Sequence, residues 1–125
     1  MKRTVTLHFG DEGEPAMSVS GVQRDLAEAL VAALRGDREV EPPQHAEGFH
    51  FLNSVTAQTS RLIQHLEAFR ELSIVAADKT SPYADRQAIA IAGAMPPSRL
   101  YRILERHGRP KDRRAAQANP QTEQE

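Results

Sequence analysis

The sequence predicts a mainly α chain with a small N-terminal β-hairpin, a long central helix and two short helices after it. Three observations carry this expectation. Residues 49 to 79 contain neither Gly nor Pro and repeat apolar side chains at steps of three and four, the period of a helix face. Two short stretches near the N-terminus alternate apolar or β-branched with polar residues, the period of a strand. Only 5% of the residues are aromatic and none is Trp, so a core must come from Leu, Ile, Val and Ala, which suits packed helices better than a sandwich. The size, 125 residues with 39% hydrophobic and 26% charged, suits one soluble domain or a small domain with appendages.

The hairpin is expected from "TVTLHF" (4 to 9), the turn-rich "DEGEP" (11 to 15) and "AMSVS" (16 to 20). Ser20 is placed to cap a first helix over about 21 to 35, in which Val22, Leu26, Ala29, Leu30, Ala33 and Leu34 share a face and Gly36 supplies the stop. Residues 1 to 36 therefore form one unit. The charged, Pro42-Pro43-containing stretch 37 to 48 cannot continue a helix and reads as a linker or surface loop.

In the long helix, Leu52, Val55, Thr59, Leu62, Leu66, Phe69, Ser73 and Ala76 form a heptad-like stripe that Ile63 and Leu72 widen. Thr59 and Ser73 dilute the seam, which favours core packing over a true coiled coil. A helix of about 30 residues spans about 45 Å, more than the width of a compact domain of this size, so part of the stripe needs a partner molecule. A homodimer through Leu62, Leu66 and Phe69 is the expectation.

After "DKTSPYAD" (78 to 85) breaks that helix, "RQAIAIAGAMPPSRLYRILERHG" (86 to 108) interrupts an apolar helix with a glycine and two prolines. Two helices joined by a tight turn can bury two apolar faces that a single straight helix could not. Residues 86 to 105 resemble the helix-turn-helix of bacterial DNA-binding regulators, whose pattern puts a small residue in the first helix, a glycine four residues on and an aliphatic residue six beyond that. Here those places are Ala90, Ala94 and Leu100. The resemblance implies that Ile89 and Ala90 pack the first helix, Met95 plugs the corner, and Leu100, Ile103 and Leu104 anchor the second helix inward. Ser98, Arg99, Tyr101, Arg102 and Arg106 then point out. The chain departs from the pattern in carrying its glycine at Gly93. Gly93 is expected to take a left-handed conformation and to lengthen the turn by one residue, while Pro97 suits a first-turn position.

Charge points the same way. Residues 99 to 114 hold seven Arg or Lys against Glu105 and Asp112, a net +5 in a chain of net −1, which leaves −6 for the remainder. Such a block beside an amphipathic helix is the footprint of a phosphate-backbone binder. It also fits an ordinary solvated helix end, with Glu105 pairing locally with Arg102 or Arg109. Arg99, Arg102 and Arg106 share a helix face, and arginine can hold guanine N7 and O6 in the major groove. "RPKDRR" offers Arg109, Lys111, Arg113 and Arg114 as a flexible phosphate-binding arm, and the polar residues 115 to 125 read as disordered.

Other classes are set aside. The five histidines are scattered, with no His-x-x-x-His and no Gly-rich phosphate loop. His45, Glu47 and His50 flank a loop without further ligands, and the carboxylate pairs Asp78 with Asp85 and Glu67 with Glu71 read as solvated surface. There is no cysteine, and "MKRTVTLHFG" has no long apolar run, so a reducing cytoplasm without membrane contact is expected. The predicted architecture is thus mainly α with a small N-terminal β-hairpin and a long central helix followed by a helix-turn-helix over 80 to 110, with a basic then polar tail over 111 to 125. The predicted function is sequence-specific binding of double-stranded DNA by a homodimeric, non-enzymatic, cofactor-free regulator of transcription, plasmid or phage. The alternative is a protein-interaction adaptor module with a basic C-terminal patch.

Overall fold

The computed structural model describes residues 2 to 8 and 17 to 111. It is mainly helical with one two-stranded antiparallel sheet. In chain order the elements are β1 (Lys2–Leu7), β2 (Met17–Gln23), α1 (Arg24–Arg35), α2 (Gly48–Lys79), α3 (Arg86–Ala92) and α4 (Pro97–Arg106). The chain divides into two compact units, Met1–Gln64 and His65–Glu125. Expectations on residues 9 to 16 and 112 to 125, including Arg113, Arg114 and the polar tail, lie outside the described residues.

In the first unit Val5 pairs with Val19, Thr6 with Ser18 and Leu7 with Met17, but Arg3 pairs with Val22. The extra residue on β2 makes a bulge, and Gly21 at φ 82° sits in it, a left-handed position that glycine takes without strain. Hydroxyls line one face, with Thr4 Oγ1 3.2 Å from Ser20 Oγ and Thr6 Oγ1 3.0 Å from Ser18 Oγ. Pairing continues to Lys2 and Gln23, so α1 starts at Arg24 rather than 21. Ser20, expected to cap it, is engaged across the hairpin instead. The Gly36 stop is as expected: the residue is left-handed at φ 81° and its N–H donates to the Ala33 carbonyl at 3.0 Å.

Gln58 of α2 locks this unit. Its Oε1 accepts from the Gln23 N–H and its Nε2 donates to the Gly21 carbonyl, each at 2.8 Å, satisfying backbone groups at the strand-to-helix junction that α1 cannot satisfy itself. Leu26 and Val55 are buried here. Asp25 Oδ1 accepts from the N–H groups of Gln44 and His45 at 2.9 and 3.1 Å, which pins the 37 to 47 segment to α1. Burial works against the charged form, but these N–H groups hold the Asp25 carboxyl below its ordinary range.

In the second unit the end of α2 packs with α3 and α4. Ile74 and Val75 from α2, Ala90 from α3, Met95 from the turn and Leu100, Ile103 and Leu104 from α4 form the core, with Ile89 against its edge. Each buried aliphatic side chain of this size contributes about 1.5 to 3 kcal/mol relative to exposure. Leu66 and Phe69 lie outside this core and are 52% and 63% exposed. The third residue of the expected dimer seam, Leu62, is half-buried in the first unit.

Candidate nucleic-acid interface

The turn between α3 and α4 aims the exposed side chains of α4. Asp85 Oδ1 starts α3 by accepting from the N–H groups of Gln87 and Ala88 at 3.0 and 3.2 Å, an N-cap. At its end the N–H groups of Gly93 and Met95 donate to the Ile89 and Ala90 carbonyls at 2.9 and 3.0 Å. The left-handed residue is Ala94, at φ 54°, not Gly93, which is right-handed at φ −79°. Ala94 is also the place where the pattern puts its glycine, so the glycine at 93 does not displace the turn. Gly93 answers to space instead: a Cβ there would lie 3.2 Å from Met95 Cε, 3.3 Å from the Ile89 oxygen and 3.4 Å from Ile74 Cδ1. Pro97 opens α4, where its missing N–H would have had no intrahelical partner.

On α4 the side chains at 100, 103 and 104 are almost wholly buried, and those at Ser98, Arg99, Tyr101, Arg102, Glu105 and Arg106 are exposed. Among the described residues no carboxylate lies within ion-pair distance of Arg99 or Arg102, nor does Glu105 pair with Arg102 or Arg109. These two guanidinium groups and the Ser98 hydroxyl form a free basic face.

The other basic residues are engaged. Arg106 Nη2 donates to Glu71 Oε1 at 2.6 Å while remaining 64% exposed. Glu71 Oε2 lies 3.4 Å from His107 Nε2. The hydrogen bond with His107 and the charge of Arg106, against partial burial, hold the Glu71 carboxyl below its ordinary range. Glu71 is therefore a tertiary ion-pair partner and not the free solvated carboxylate expected.

Asp78 departs further from expectation, since its side chain is fully buried. Arg86 donates to it twice, Nε to Oδ1 at 2.8 Å and Nη2 to Oδ2 at 3.0 Å, and Arg109 Nε donates to Oδ2 at 2.9 Å. Arg86 also donates to the Pro110 and Lys111 carbonyls at 2.8 and 3.2 Å, and its guanidinium carbon lies 5.4 Å from the centre of the Tyr101 ring. The Asp78 hydrogen bond raises the Arg86 pKa above its ordinary value against the opposing effect of burial. Arg109 thus serves the interior, residues 109 to 111 are fastened rather than a free arm, and Tyr101 is in part a platform for Arg86. Spacing did not reveal Asp78: the stripe expected from the sequence, through Leu66, Phe69, Ser73 and Ala76, is exposed on this segment, and the buried face is the one that carries Ile74, Val75 and Asp78, where a carboxylate must find cations.

No protein-family model, curated protein or solved structure matches the chain.

Two further features are defined. Asp25, Glu28 and His45 bring ligand atoms within 4.8 Å of one another, in place of the trio His45, Glu47 and His50 weighed from the sequence. Their atoms are already engaged, Asp25 by two backbone N–H groups and Glu28 Oε1 by Arg24 at 3.1 Å and His45 at 3.5 Å. Among the described residues no helix is long and apolar enough to cross a membrane.

Proposed function

We propose that the chain binds double-stranded DNA, with α4 as the helix that enters the major groove. The observation that carries this reading is the division of α4 into a buried face, Leu100, Ile103 and Leu104, and an exposed face on which Ser98, Arg99 and Arg102 stand without ion-pair partners. An unpaired guanidinium on a rigid helix is free to take both acceptors of a guanine edge, and a serine near the helix start is suited to a phosphate oxygen. The corner supports the same reading, because Ala90, the left-handed Ala94 and Leu100 occupy the three places of the regulator pattern. Arg99 and Arg102 read bases, Ser98 positions the backbone, and the exposed Arg106 and Lys111 side chains add charge. Arg109 is reserved for Asp78. Transcription, plasmid or phage control is the setting in which such a protein acts.

The test is a titration of labelled random-sequence duplex followed by selection of preferred sites from a random pool. Binding that weakens steeply with salt, together with enrichment of a defined motif, is the expected result. Absence of duplex binding at low salt overturns the reading in favour of a protein-interaction module.

A further inference from the structure

In the first unit α1, residues 37 to 44 and α2 enclose a groove of about 490 Å³, the size of a cleft that takes a few side chains. Leu26 of α1 and Val55 of α2 form its floor, and the small Ala29 and Ala33 of α1 line it together with Val40 and Pro43. Thr59 adds little polarity to the floor, because its hydroxyl donates to the Val55 carbonyl at 2.7 Å. The rim is acidic: Asp25, Glu28, Asp37, Glu39 and Glu41 line the groove, and among the described residues no Lys or Arg does. Arg38 stays outside the lining, as do Arg24 and His45, the partners of Glu28. Asp37, Glu39 and Glu41 form no ion pair among the described residues.

We infer that this groove binds a basic segment of a partner protein, an extended peptide that lays apolar side chains on the floor and sets Arg or Lys against the rim. Charge chooses the occupant. Three unpaired carboxylates and two more beside them repel one another around an apolar cleft, so a cationic ligand is drawn in and a nucleic acid is repelled. The last turn of α1, which lines the groove through Ala32 and Ala33, adds the negative end of a helix to the same field. The rim also suits an extended ligand, because Asp37, Glu39 and Glu41 are alternate residues, and alternate side chains of an extended peptide point to one side. The wall is built before the ligand arrives. Asp25 Oδ1 holds the N–H groups of Gln44 and His45, the Asp37 N–H donates to the Ala32 carbonyl at 3.0 Å, and Pro42 and Pro43 stiffen the chain between these anchors, which lowers the ordering cost of binding. This inference is independent of the DNA reading of α4.

The test is fluorescence anisotropy of a labelled peptide that alternates arginine with leucine, titrated with the full chain at physiological salt, and saturable micromolar binding is expected. A peptide that alternates arginine with serine should bind about tenfold or more weakly, because nothing then covers the floor. Glu39→Lys and Glu41→Lys should each weaken binding of the leucine peptide about tenfold or more. Ala29→Arg, which tethers a cation in the groove at an exposed helix position, should abolish it, and all three variants should keep the wild-type circular dichroism. Glu67→Lys makes the same change of charge at an exposed position of the second unit and should leave the affinity unchanged. The inference is overturned if the leucine peptide does not bind, if the serine peptide binds as tightly, or if Glu67→Lys weakens binding as much as Glu41→Lys does. It is overturned too if light scattering shows a wild-type oligomer that Glu41→Lys separates, since a second copy would then fill the groove.

Discussion

Arg86 and Asp78 form a two-pronged ion pair, Nε to Oδ1 at 2.8 Å and Nη2 to Oδ2 at 3.0 Å, with the carboxylate wholly out of water. The planar guanidinium matches the carboxylate fork, and its remaining N–H groups reach the carbonyls of Pro110 and Lys111. One side chain therefore joins the end of α2, the start of α3 and the chain beyond α4, around the helix whose outer face is proposed to read DNA.

Removing the acid should unfold this corner first. Asp78→Ala leaves Arg86 buried without its countercharge and should lower stability by about 3 to 5 kcal/mol in urea denaturation. Arg86→Lys should also destabilise, since an ammonium cannot hold both carboxylate oxygens and both carbonyls. A change in Asp78→Ala below 1 kcal/mol, on the order of a surface ion pair, would contradict the assignment.

Arg109→Ala separates interior from interface. Its hydrogen bonds to Asp78, Nε to Oδ2 at 2.9 Å and Nη2 to the backbone carbonyl at 3.4 Å, predict a stability loss of about 1.5 to 3 kcal/mol. The DNA affinity of the folded fraction should stay near wild type. A loss of affinity with unchanged stability would return Arg109 to the DNA surface.

At the corner, Ala94→Gly should raise stability by about 1 kcal/mol, because an L-residue with a Cβ is strained at φ 54°. Gly93→Ala should have the opposite sign, since its Cβ would press on the Ile89 carbonyl and on Met95 and Ile74, at a cost of about 1 to 3 kcal/mol. Leu100→Ala, at a wholly buried position, should cost about 2 to 5 kcal/mol. Thermal melts of the three variants test the order.

Glu71 gives a pH dependence. Its folded pKa is depressed below the ordinary 4.5, so the unfolded chain binds its proton more readily. The resulting stability is present above about pH 4.5 and is lost as pH falls through the folded value. Glu71→Gln should flatten the denaturation midpoint across that acid window and leave the rest of the curve parallel. An unchanged slope would mean that the contacts with Arg106 and His107 do not persist in solution.

What could be read from the sequence was set by local periodicity. The start of α2 falls one residue from the expected one and its end coincides, because a long run without Gly or Pro leaves helix as the one economical state. The outward positions of α4 followed from the spacing of Leu100, Ile103 and Leu104. The start of α1 was misplaced because Gly21 reads as a strand end, whereas its left-handed conformation lets β2 bulge and continue. Gly93 was given the left-handed role that Ala94 takes, because composition marks glycine as permissive and says nothing of how closely Ile74 and Met95 approach. Arg109 and Arg106 reach partners 31 and 35 residues away, and no local pattern reports that distance. Asp78 was missed because the expected stripe through Leu66, Phe69, Ser73 and Ala76 faces out, and the packed face is the one with Ile74 and Val75.

The most direct measurement is fluorescence anisotropy on a selected duplex with wild-type protein, Arg99→Ala and Arg102→Ala, each verified as folded by circular dichroism. Each substitution should cost about 1 to 3 kcal/mol of binding free energy and relax preference at one base position. Folded variants that bind the same duplex with wild-type affinity and unchanged base preference would contradict the assignment of α4 as the reading helix.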